Sequence, residues 1–174
     1  MATVVHEVTP LKQAIDRVLG IVVRKVALDI HANLVAPPIQ GGTPVDTGWA
    51  RSNWIPRVGE PQLEPVGSRP TGKEENLPVT RGATGRPRYS LVDFGPQIDG
   101  REQVTGYKID VEAGAQHVFV SNNVPYIGDL NDGSSKQAPA GFVERAIVKA
   151  LREDLRHDPG GESPSVGASE GPVL

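Results

Sequence analysis

The residues best suited to chemistry cluster between Asp129 and Lys136. Asp129-Leu130-Asn131-Asp132-Gly133 has the acidic spacing of a calcium loop, but its glycine comes one position early and Ala140 stands where the closing glutamate belongs. It reads as a turn. Ser134 and Lys136 could pair as nucleophile and base, yet neither an oxyanion-hole motif nor a partner histidine accompanies them. His6, His31, His117 and His157 are scattered without metal-ligand spacing. There is no glycine loop ending in Lys-Ser/Thr and no G-x-S-x-G elbow. The chain holds no cysteine, which removes disulfides and thiolate metal sites. The expectation is a protein that is not an enzyme, with no catalytic residues, no cofactor and no metal.

The elements around this cluster are uneven. Thr9 and Pro10 read as the start of a helix, followed by Leu11, Ile15, Val18, Leu19, Val22, Val23, Val26, Ile30 and Leu34 at three- and four-residue steps. This helix should end near Val35, before Pro37-Pro38. It reads as an amphipathic helix over a sheet. Ile21 and Leu28 widen its apolar face, which leaves room for part of the stripe to pack on a neighbouring subunit.

From about Pro56 to Arg88 prolines and glycines interrupt every period, so a long extended arm is expected there. It reads as an arm that becomes ordered on a neighbouring subunit, with a disordered segment as the alternative. Strands are expected at Tyr89–Phe94, Gln103–Val111 and His117–Ser121, with turns at Pro96–Gly100 and Ala113-Gly114. A last amphipathic helix should run from Pro139 to Leu155, its stripe made by Phe142, Val143, Ala146, Ile147, Ala150 and Leu151. Residues 158–174 read as a flexible tail. The fold class is therefore α+β: a long N-terminal helix and a C-terminal helix packed on a small antiparallel sheet, in a single domain over residues 1–157.

The organising stretch is Gly42-Thr43-Pro44-Val45-Asp46-Thr47-Gly48-Trp49-Ala50-Arg51-Ser52-Asn53-Trp54. Pro44 gives a rigid entry, Asp46 and Thr47 suit the start of a new helix, and Gly48 permits a tight turn. A short helix then carries Trp49, Arg51 and Trp54. The two tryptophans read as packing anchors, in the core or at an interface.

Thr43 to Trp54 resembles the TPVDTG-x-x-R-x-x-W signature of neck, or tail-completion, proteins of tailed bacteriophages. Asn122-Asn123-Val124-Pro125-Tyr126-Ile127 and Leu130 to Gly141 resemble a second block of that family, in the expected order. The resemblance implies a structural virion protein, assembled in the host cytoplasm, that forms a homo-oligomeric ring at the head–tail junction. A hexamer is the usual expectation and a dodecamer the alternative. Its partners would be adjacent neck, connector and tail-tube proteins, with genomic DNA passing without sequence-specific contacts. Subunit-interface residues expected on this basis are Pro44, Asp46, Thr47, Gly48, Trp49, Arg51, Trp54, Tyr126, Lys136 and Gln137. A tail-terminator ring is the nearest alternative.

A different class of function rests on Arg81, Arg86 and Arg88. Gly85-Arg86-Pro87 resembles the core of minor-groove AT-hook peptides, but Thr84 stands where those have arginine. The alternatives are a DNA-binding module, or a loop touching phosphates in a channel. A formal charge of −3 argues against general nucleic-acid coating. The 174 residues suffice for one modest core, while 37% hydrophobic content with 20 glycines and 16 prolines implies much loop. Met1–Pro10 lacks a signal-peptide pattern and no run is long enough to span a membrane, so no membrane partner is expected.

Overall fold

The structure is a computed structural model and describes residues 9–46, 48–67, 79–81, 87–89, 95–109 and 116–156. The periodic N-terminal segment forms helix α1, Thr9–Val35. Its end is fixed by a return of the chain. After a 3-10 turn at Pro38–Gln40, Thr43 donates both its backbone N–H (3.0 Å) and its hydroxyl (2.8 Å) to the Leu34 carbonyl. That carbonyl would otherwise be one of the orphan acceptors at the helix end.

Helix α2, Trp49–Ser52, follows, then strand β1, Ile55–Val58. Short strands β2, Val79–Arg81, and β3, Pro87–Tyr89, pair with each other antiparallel. Helix α3, Gly95–Gly106, precedes strand β4, Val118–Ser121. Helices α4, Ile127–Asn131, and α5, Phe142–Arg156, complete the described chain. Strands β1 and β4 pair antiparallel, from Ile55 opposite Ser121 to Val58 opposite Val118. Helices α1 and α5 pack along each other, α1 crosses β4, and α3 lies against β1. The class is α+β, as the sequence implies.

The core has two joined parts. Trp49, Ala50, Ile55 and Val124 form one, and Leu34, Trp54, Ala138, Phe142 and Ala146 the other. Ile127 and Leu130 of α4 pack against both.

Several expectations are corrected. Pro96–Gly100 is not a turn and residues 103–106 are not strand, because both belong to α3. The last helix opens at Phe142, not Pro139. Gly48, in the left-handed region at φ 88°, takes the N-cap position of α2 that Asp46 and Thr47 suggested for themselves. The Asp129–Gly133 segment is mostly helix, with its turn confined to the C-terminal end.

The arm expected at 56–88 does not begin at Pro56. Residues 55–58 are a paired strand. The loop beyond is tied down: Asn53 Oδ1 accepts the Val66 N–H (2.6 Å), and the Trp49 indole N–H donates to the Val66 carbonyl (3.0 Å). Gln62 is held by Ser121 and Asn123. Residues 68–78 and 82–86 of the expected arm, the 90–94 part of the expected strand and the 158–174 tail lie outside the described residues.

Candidate functional site

Gln137 and Asn122 join the two sequence blocks that carry the family resemblance, while Asn53 and Asn131 tie each block to the segment beside it. Gln137 makes a two-point clasp on Val45: its Oε1 accepts the Val45 N–H (2.9 Å) and its Nε2 donates to the Val45 carbonyl (2.8 Å). Asn122 donates to the Ala50 carbonyl (2.7 Å) while its Oδ1 accepts the Val124 N–H (3.1 Å). Asn53 donates to the Trp49 carbonyl (2.9 Å). Asn131 faces the start of α5, where its Oδ1 accepts the Val143 N–H (3.0 Å) and its Nδ2 donates to the Glu144 carboxylate (3.1 Å). Each side chain satisfies main-chain groups that a loop would otherwise leave open to water.

The tryptophans serve this junction from inside. Trp54 is buried, and its indole N–H donates to the Thr43 hydroxyl at 2.7 Å. Trp49 is buried and lies against Tyr126, with ring centroids 6.0 Å apart and planes tilted by 52°. Both rings therefore belong to the core of their own chain. The expected interface residues separate into two sets. Pro44, Gly48, Trp49 and Trp54 are buried supports, whereas Asp46, Lys136 and Gln137 are exposed and Arg51 and Tyr126 are half-buried. Thr47 lies outside the described residues.

Where the blocks meet, a cleft of about 180 Å³ opens to solvent. Pro44, Asp46, Gly48 and Ala50 form one wall, and Tyr126, Leu130, Ser135 and Gln137 the other. A tyrosine ring and a carboxylate stand in its walls, beside the Gln137 amide that Val45 engages at both ends. Among the described residues no group of His, Cys, Asp or Glu is arranged to hold a metal ion. No described helix is long and apolar enough to cross a membrane.

Two residues that the sequence did not single out brace the site from behind. His31 is buried at 3% exposure, with Nε2 3.1 Å from the Trp54 carbonyl. A carbonyl only accepts, so Nε2 carries the proton. Burial, with a smaller contribution from the positive charge of Arg101, lowers its pKa to about 4 against the opposing pull of that hydrogen bond. Gln97 of α3 is also buried and donates to the Arg51 carbonyl at 3.2 Å. Nothing in their spacing marks either residue, because the partners of both lie on other elements.

Of the basic run, Arg81 lies on β2 and Arg88 on β3. The register pairs Arg81 with Pro87 and Thr80 with Arg88, so the two arginines are not cross-strand neighbours. Arg86 lies outside the described residues. Comparison with protein-family models, with curated proteins and with solved structures finds no match.

Proposed function

We propose that this chain is a structural virion protein of a tailed bacteriophage, forming a closed ring at the head–tail junction. The ring helps join tail to head and leaves a channel through which DNA passes. The observation that carries this reading is the Gln137–Val45 clasp. It belongs to both resembling blocks at once, and it supports the idea that the two form one device rather than two coincidences of sequence. The paired Asn122–Ala50 contact supports the same view.

Such a protein works by assembly. Unlike surfaces of successive subunits meet head to tail, and the ring closes when the rotation per subunit fits. Further copies of the chain, in a hexamer or alternatively a dodecamer, are its first partners. Connector and tail-tube proteins are the next. A tail-terminator ring would use the same chemistry at the far end of the neck. The test is a symmetry-resolved cryo-EM map of the neck of purified virions. Density for this chain in a ring between portal and tail tube is the expected result, and its level in the stack separates neck from terminator. Absence of the chain from the particle overturns the reading.

A further inference from the structure

Helix α1 is buried along one side only. Gly20, Ala27, His31 and Leu34 face the core, while Leu11 (64%), Ile15, Val18 (58%), Leu19 and Val22 remain exposed. These residues recur at three- and four-residue steps, the spacing of a helix-packing seam. The seam runs into a groove of about 360 Å³ between α1, β4 and α5, where Val22, Val26, Ile30, Val120 and Ile147 meet. Beyond Ile147, Leu151 carries the exposed apolar surface along α5.

The surface is large for a lone subunit. Its half-exposed aliphatic side chains amount to something on the order of 600 Å², the upper end for the largest patch on a monomer. A stable protein interface buries roughly 800 Å² per partner. The charges beside the seam are paired: Lys12 with Asp16 at 3.4 Å on one side, and Lys25 with Asp29 at 2.6 Å two turns beyond Val18 and Val22. Neither pair adds net charge to the apolar surface, so another copy can seat an apolar face of its own there without repulsion from them.

We infer that the outer half of α1, with the adjoining flank of α5, is where a second copy of this chain docks. The identity of the occupant rests on the ring reading, and the inference adds the surface that makes the contact. The docked copy covers Ile15, Val18 and Val22, while the cleft between the two sequence blocks stays available to a different neighbour.

The test uses the full-length protein in analytical ultracentrifugation at high micromolar concentration. The wild type is expected to sediment as an oligomer. The Ile15→Asp, Val18→Asp double variant is expected to be monomeric with unchanged circular dichroism and melting, since both side chains are exposed. A monomeric wild type, or a double variant that assembles as the wild type does, overturns the inference. A second measurement exploits the absence of native cysteine. In a Val18→Cys variant the alkylation rate should fall about tenfold or more on assembly, while a Glu102→Cys control on α3 does not change. Equal rates for Val18→Cys at low and high concentration also overturn it. Oligomers made through this face, with no copy of the chain in a phage neck, would end the neck reading alone. A neck ring with α1 facing solvent would end this inference alone.

Discussion

Gln137 holds the main chain of Val45 by both ends of its side-chain amide, at 2.9 and 2.8 Å across 92 positions of sequence. The geometry imitates one rung of an antiparallel sheet, made by a side chain. It fixes the loop before α2 to the loop before α5. Replacing Gln137 by Ala should lower stability by about 1 kcal/mol, because the site is exposed and water replaces both bonds. Gln137→Glu keeps only the acceptor and should fall between. Urea titration of the three proteins checks the order.

Gly100 brings the backbone of α3 against β1. A Cβ there would stand 2.0 Å from the Pro56 carbonyl oxygen. Gly100→Ala must therefore push α3 off the strand, a change expected to cost about 2 kcal/mol or more. Gly128, within α4, has nothing near its would-be Cβ. Gly128→Ala should be neutral, or stabilising by up to about 1 kcal/mol through helix propensity. Thermal melts of the pair separate steric from conformational effects.

His31 sets an acid limit on the fold. Its folded pKa of about 4 lies below the ordinary 6.5, so the unfolded chain binds the proton more readily. The stability tied to neutral His31 is complete above pH 6.5, falls as the pH drops towards 4, and is gone below that. At most it amounts to roughly 3 kcal/mol. A His31→Gln variant should start less stable at pH 7 and show a flatter stability profile between pH 6.5 and 4. A wild-type slope retained in that variant would assign the effect elsewhere.

Asn131 and Glu144 close the start of α5 together. The hydrogen bond of Glu144 to main-chain N–H at the helix start, aided by the Asn131 amide, lowers the Glu144 pKa. Asn131→Asp would set a second carboxylate against it. That variant should lose stability at neutral pH and recover part of it on acidification, as one carboxylate takes a proton. Asn131→Ala should lose about 1 kcal/mol with no such recovery. Denaturation at pH 7 and pH 4 distinguishes them.

The two long helices were legible because each carries an apolar stripe at the helical period, and packing obeys that stripe at Leu34, Phe142 and Ala146. Helix α3 was not. Its sequence opens with Gly95-Pro96, contains Gly100 and offers few apolar residues, so every local sign points to a turn. What holds it is tertiary: Gly100 on Pro56, and Val104 and Gln97 buried. Strand β1 was hidden by Pro56, which reads as a breaker although it sits in a short two-stranded ribbon. At the site, the two blocks were legible as motifs and the tryptophans as anchors. Their joining by Asn122 and Gln137 was not, since sequence alone cannot say which loop an amide will reach.

Helix α1 has 27 residues, which at 1.5 Å per residue is a rod about 40 Å long. Its ties to the rest of the described fold run from Gly20 onward, where Gly20 faces the main chain of Ile109, Arg24 donates to the Tyr107 carbonyl, His31 reaches Trp54 and Thr43 grips Leu34. The turns before Gly20, about 16 Å of rod, carry Leu11, Ile15, Val18 and Leu19 clear of that core, so the helix reaches beyond the body that holds it.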